Sequence, residues 1–343
     1  MTNFFLYEII YIQYIIILCI CASIFLLKLG IDYQKKRTDG KISGLKTLLK
    51  EVIVGKRAWN ETEWAQKKES ISIILRALET FDVLVESEAW SRIKNILCEK
   101  WLLPWARLNA TAFIWSKRNK SVRIFLLYPT LRDVPIMESL LNDPSFFIRM
   151  GAVAALAKIA SPETIVLLLT HMAAEKPPAR FPYRHALLNM PLKSLVYLMG
   201  IYQESDENIR LACLDIMSRR FISNPINMIK GDYQSPNSLI RIFIVKILGN
   251  LASEEAATDL VLFLKDSDSK VRAEAVLSLG KLIAEKTFEK VTEMLHDEDY
   301  EVRLQAAIAL TKFGRKGIHA LETQDWDIDP QAFQIARYVL TMP

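Results

Sequence analysis

The acidic pairs Asp266-x-Asp268 and Asp297-x-Asp299 are the residues whose type and spacing come closest to a reactive site. Alternating carboxylates can open a calcium loop, which needs oxygens at positions 1, 3 and 5, Gly at 6 and a bidentate Glu at 12. Counted from Asp266, the last three of these positions hold Lys270, Val271 and Leu277; counted from Asp297 they hold Glu301, Val302 and Ile308. Neither loop can turn or close around an ion. The four histidines (His171, His185, His296, His319) are scattered, with no HExxH, Gly-rich phosphate loop or GxSxG nearby. Cys19 and Cys21 lie in an apolar run, and Cys98 and Cys213 stand alone, so there is no metal-ligand spacing and no disulfide framework. No cofactor, metal or catalytic residue is expected.

Two stretches read better as binding surfaces. Residues 100–132 contain Lys100, Arg107, Lys117, Arg118, Lys120, Arg123 and Arg132 without one acid, interleaved with Trp101, Trp105 and Trp115. Either the tryptophans anchor a core beneath a solvated basic face, or the segment docks anionic headgroups or an acidic patch on a protein partner. The second stretch, 174–191, sets Pro177, Pro178 and Pro182 beside Arg180, Arg184 and His185. It is either a binding feature or decay of an otherwise regular pattern.

The elements that must position these residues are helices. Hydrophobic residues make up 51% of the 343, and only 11 are Gly, a balance that favours helix over turn-rich sheet. Ile9–Leu27 carries no charge from end to end and would span about 29 Å as helix, close to a bilayer's hydrocarbon thickness. It lacks the basic start and small-residue exit of a cleaved signal peptide, so a retained transmembrane helix over 1–29 is expected. Nine Lys/Arg face three acids between Lys28 and Arg57, with Lys35, Lys36, Arg37 and Lys41 placed for the membrane surface. The positive-inside bias predicts a single-pass topology, N-terminus outside and the remainder cytoplasmic, with 30–58 as a basic juxtamembrane linker. That segment also accounts for the net charge of +5, because 58–343 sums to zero. A neutral body argues against nucleic acid as a partner. Gln13 could hydrogen-bond another helix within the bilayer.

From residue 136 onward the chain repeats. Arg149, Arg180, Arg210, Arg241, Arg272 and Arg303 recur at an almost constant interval. Three columns in that register are apolar in every copy: one before each Arg, seven after (Leu156, Leu187, Met217, Leu248, Leu279, Leu310), and twelve before (Met137, Leu168, Leu198, Ile229, Leu260, Val291). Each unit reads as two short amphipathic helices joined by a polar turn whose Asp and Ser cap the second helix. Such a hairpin buries its apolar faces only by stacking on neighbours, which yields a superhelical solenoid. A last copy without its Arg aligns Phe333 and suits a terminal cap. Residues 59–135 read as further hairpins out of strict register, with Arg123 as a loose upstream match that falls short of a full interval before Arg149.

The pattern D-x-D-x-x-[VI]-R-x-x-A followed by Leu, sharp at 266–280 and 297–310, good at 143–156 and poor at 175–190, resembles the HEAT repeat in its short bacterial form, also found in phycobilin lyases. The resemblance implies an all-α, HEAT-type α-α superhelical solenoid preceded by a single transmembrane helix. It also implies a ladder between neighbouring units, built from Arg149, Arg210, Arg241, Arg272 and Arg303 with Asp143, Asp266, Asp268, Asp297 and Asp299. The function it implies is a non-enzymatic scaffold that holds a protein partner at the inner face of a bacterial membrane, of the kind associated with envelope-polysaccharide glycosyltransferases. A lyase of the phycobilin type, or a lipid- or nucleic-acid-binding solenoid, is the alternative. Small-molecule substrates are not expected.

Overall fold

Residues Thr2–Ile53 form one unbroken helix, α1, about 78 Å long. The structure is a computed structural model that describes residues 2–60, 64, 70–84, 87–220, 222 and 225–342. Among these, α1 is the one helix long and apolar enough to cross a membrane, by length and composition. Ile16, Ile17, Leu18, Ile20, Ile24, Phe25, Leu26 and Leu27 all point away from the protein.

Within the segment read from sequence as a linker over 30–58, residues 30–53 form the second half of α1. Ile42, Leu45, Leu48 and Leu49 recur at helical spacing and are buried, packed against α2 (Ile71–Leu84). Lys35, Lys36, Arg37 and Lys41 occupy exposed positions on the same helix. The cations conceal the apolar stripe in a charge count, although the stripe decides the structure. The helix is followed by Gly55 at φ +78°, where the amides of Lys56 and Arg57 turn back to the Glu51 carbonyl, a left-handed exit that suits glycine.

The chain divides into two compact units, residues 1–151 and 152–343. The first continues with α3 (Glu88–Leu97), α4 (Leu103–Asn109), α5 (Trp115–Leu127), α6 (Val134–Leu140) and the start of α7 (Phe146–Ile159). The second holds α8 (Pro162–Ala174), α9 (Phe181–Leu188), α10 (Leu195–Glu204), α11 (Glu207–Met217), α12 (Ile226–Ile229) and α13 (Ser238–Gly249). It ends with α14 (Glu254–Leu262), α15 (Ser269–Leu282), α16 (Phe288–Glu293), α17 (Tyr300–Thr311), α18 (Arg315–Glu322) and α19 (Pro330–Leu340). No strand occurs among the described residues.

The predicted apolar columns form the core. Met137, Leu168, Leu198, Ile229, Leu260 and Val291 are fully buried, as are Leu156, Leu187, Leu248, Leu279 and Leu310. The column just before each Arg is weaker, because Ala179 is exposed and Ile209 half-buried. Successive second helices touch through small residues. A Cβ on Gly249 would lie 2.6 Å from Ser278 Cβ, and one on Gly280 would lie 2.6 Å from Ala309 Cβ. Missing side chains let α13, α15 and α17 stack closely.

Candidate functional site

The two acids of each D-x-D motif have separate tasks. Asp268 and Asp299 are helix N-caps, accepting from the amides of Lys270 and Glu301 at 2.9 and 2.8 Å. Asp266 and Asp297 accept the amides of Asp268 and Asp299, both at 2.9 Å, and turn their remaining lone pairs to an arginine one repeat earlier. Arg272 Nε and Nη2 donate to Asp297 at 2.8 and 2.9 Å, while its Nη1 donates to the Asp266 carbonyl at 2.9 Å. Arg241 grips Asp266 in the same way, at 2.7 and 2.8 Å, with Nη1 on the Ser235 carbonyl. The rule is therefore a carboxylate at position +25 from the Arg and a carbonyl at position −6. Bonding to the carboxylates raises the pKa of both guanidinium groups above the usual arginine value, and bidentate pairing fixes their orientation.

The same rule identifies a member that the sequence reading assigned elsewhere. Arg118 donates to Asp143 at 2.6 and 3.3 Å, and its Nη1 donates to the Ala112 carbonyl at 3.0 Å. It stands one full interval before Arg149, so extending the period backward would have found it; Arg123, the loose match, belongs to no rung. The ladder also has gaps. Arg149 and Arg303 donate to the carbonyls of Asp143 and Asp297, but no carboxylate reaches them among the described residues. The positions where the rule would place their acids hold Ala174 and Ile328, which corrects the expectation of full rungs there. Arg210, whose register partner is Ser235, reaches Asp232 instead at 3.0 Å.

The proposed docking residues divide sharply. Arg107 is bound to the buried Asp133 at 2.6 Å, and Thr130 donates to the same carboxylate. Arg123 is paired with Glu79. With Arg118, three cations of the 100–132 segment are engaged in ion pairs within unit one. Trp101 and Trp105 are half-buried, while Lys117 is exposed and Lys120 half-buried. In the 174–191 stretch, Arg180 donates to the carbonyls of Glu175 and Ala173 at 2.7 and 3.1 Å, and Arg184 donates to Asp215 at 2.6 Å. His185 remains exposed, its ring stacked on exposed Phe181 with centroids 6.1 Å apart.

An apolar edge in unit one extends the 100–132 docking stretch, in which Trp115 was already a candidate, to Phe146 and Phe147, which the sequence reading missed. Trp115 is 48% exposed and donates its Nε1–H to Ser145 at 2.9 Å, which sets it beside Phe146. Phe113 is 100% exposed, Ile114 53%, Phe146 51% and Phe147 73%. Phe146 and Phe147 sit edge to face at 6.1 Å, and Arg149 lies 5.8 Å over the Phe146 ring. Ile114 occupies the N-cap position of α5 and makes no side-chain cap. The same register position is Asp206, Asn237, Asp268 and Asp299 in later repeats, each a cap. Leaving it apolar costs about 1 kcal/mol of helix stability.

The remaining polar features are occupied or dispersed. An open groove of about 480 Å³ is lined by Tyr233, Arg241, Lys265 and Asp266, but Arg241 and Asp266 are already bound to each other. Among the described residues no group of three or more His, Cys, Asp or Glu side chains could hold a metal ion.

Comparison with known proteins fits the rung geometry. The family model for HEAT repeats matches residues 228–317. These residues are HEAT repeats. The solenoid also aligns with Kap121p in its crystal structure bound to Nup53p, at 12% identity and TM-score 0.51, covering 87% of this chain and 37% of that one. YibA from E. coli aligns at 18% identity and TM-score 0.38, covering 75% and 96% of the two chains. Human deoxyhypusine hydroxylase aligns at 15% identity and TM-score 0.32, covering 82% and 98%. None of the curated proteins compared with the chain matches it. The likeness is one of fold, an all-α, HEAT-type solenoid; in this chain one long apolar N-terminal helix precedes it.

Proposed function

We propose that the protein is a membrane-anchored scaffold whose HEAT surface holds a protein partner, and that it has no catalytic role. The observation that carries this reading is the use of polar side chains. Arg118, Arg241 and Arg272 and their carboxylates are spent between repeats. Large apolar side chains such as Phe181, Leu192, Val196 and Leu262 stay outside in unit two, a distribution suited to binding rather than to proton transfer. The apolar first half of α1 supports the anchor, since immersing so many exposed Ile, Leu and Phe side chains in water would cost about 1.5–3 kcal/mol each. The cations that follow support an array on the cytoplasmic side of its membrane, and a bacterial inner membrane is the setting we favour. A membrane glycosyltransferase assembly is the partner class we favour.

Alkaline extraction of membranes carrying the full chain tests the anchor: it should remain in the pellet, and a reporter fused after Pro343 should be active only in the cytoplasm. Photo-crosslinkers at Phe181 and His185 test the partner. One protein should be trapped reproducibly, and Phe181→Asp should abolish the adduct without changing the helical circular dichroism. Recovery of lipid alone would overturn the scaffold reading.

A further inference from the structure

The apolar edge of unit one is unlike the same register in the rest of the array. At the position of Phe146 the later repeats place Glu207, Ser238, Ser269 and Tyr300; at that of Phe147 they place Asn208, Leu239, Lys270 and Glu301. Phe113, five residues before its ladder Arg, matches Pro144, Pro236, Ser267 and Glu298. With Trp115, which holds the Phe146 position one repeat earlier, four aromatics and an isoleucine therefore stand in turns that elsewhere are mostly polar, and the isoleucine displaces a helix cap. A sequence that breaks its own local rule at an exposed position marks a functional surface. These side chains are exposed and sit in turns and first helical turns, so they form an edge.

We propose that this edge is a second membrane contact, in which Phe113, Ile114, Trp115, Phe146 and Phe147 enter the interface of an anionic bilayer. Aromatic residues with flanking cations are the composition that partitions into the headgroup layer. Lys117 is exposed in the first turn of α5 with Lys120 one turn on, and residues 100–132 contain no acid to repel phosphate headgroups. The edge belongs to the unit that carries α1, and it rests on the membrane anchoring proposed above. A protein partner would require an acidic, apolar complement, and nothing in the chain's architecture calls for one there.

The test uses the full chain in vesicles of phosphatidylcholine with or without phosphatidylglycerol. A polarity-sensitive fluorophore is attached to Phe113→Cys in a Cys19→Ala/Cys21→Ala background; Cys98 and Cys213 are buried and stay unlabelled. A control label is placed at Leu262→Cys, 64% exposed in the native protein. The label at 113 is expected to shift to the blue and to be quenched by headgroup-depth spin-labelled lipid when phosphatidylglycerol is present, while the label at 262 is not. K117E/K120E should lower the ratio of shielded to unshielded label by about tenfold or more. Helical circular dichroism confirms that each variant is folded. Alkaline extraction of the same vesicles separates the two readings. A chain that resists extraction while its label at 113 stays water-like overturns the edge and leaves the anchor. A chain that is extracted but shielded by phosphatidylglycerol vesicles retains the edge and removes the anchor. Shielding that appears only after a cell extract is added overturns the edge in favour of a protein.

Discussion

Replacing Asp297 by Asn tests the ladder at its most buried rung. The Arg272 and Asp297 side chains are 9% and 8% exposed, and the carboxylate takes two charge-assisted bonds at 2.8 and 2.9 Å. Asn can keep one oxygen for the Asp299 amide, but it removes the charge and turns an amide against one guanidinium nitrogen. The guanidinium is then left charged with its bond to the Asp266 carbonyl and an exposed Glu298 at 3.3 Å. Breaking a buried pair by removing one partner costs about 3–5 kcal/mol; the retained carbonyl and Glu298 put the expected loss near the lower end, about 3 kcal/mol. The double variant Arg272→Met/Asp297→Leu removes both charges together and should recover most of that loss. Hydrogen exchange of the α15 and α17 amides in the full chain gives local opening free energies for all three proteins. A loss below about 1 kcal/mol for Asp297→Asn, or a double variant no better than the single, would refute the view that the rung is a desolvated pair.

Other outcomes follow from the same structure. Gly280→Ala should destabilise despite a helix-propensity gain of up to about 1 kcal/mol, because its Cβ would sit 2.9 Å from the Ala309 backbone and overpacking costs about 1–3 kcal/mol. Gly200→Ala, with nothing within 4 Å, should stabilise; thermal melts compare the two. Ile114→Asp should supply the missing cap and raise the stability of α5 by about 1 kcal/mol, visible as slower amide exchange over 115–119. Acid should loosen the repeats in a defined window. Asp299 is held below its ordinary value by Ser269 and the amides it caps, and Asp268 and Asp329 first by capped amides. A depressed carboxyl stabilises the fold above its unfolded pKa near 3.9, and that contribution drains away as pH falls through the lower folded value. Stability should therefore stay level through these groups above about pH 5 and decline below pH 4, as read by denaturation at stepped pH. Burial pushes the Cys213 thiol up to about 12, so alkylation at neutral pH should await unfolding.

The array was legible because stacking forces a period: every second helix must present an apolar residue at the same depth, and Leu156 through Leu310 do so. The ladder was legible only in part. Arg118 sits in a run of basic residues that invites a surface reading, and its acid, Asp143, lies most of a repeat downstream, where no local pattern announces it. Gaps at Arg149 and Arg303 become visible only once that interval is known. The apolar edge was only partly visible, through Trp115, for another reason. Tryptophan, phenylalanine and isoleucine at a helix start look like core until the neighbouring turns show that the register faces solvent. The second half of α1 was lost to its lysines, which dominate a charge count while Ile42, Leu45 and Leu49 fix the helix.

The continuity of α1 has a mechanical consequence. A flexible tether of similar length would let an attached domain sweep a hemisphere above its anchor, with its local concentration diluted through that volume. Here the hydrogen-bonded rod enters the core of unit one without a swivel, since Ile42 through Leu49 are bolted against α2. Rotation or tilt of the apolar half is transmitted as torque to the first hairpins. In the membrane-anchored reading proposed above, a ligand bound to unit one is held at a fixed height and azimuth, so the helix acts as a stem rather than a leash.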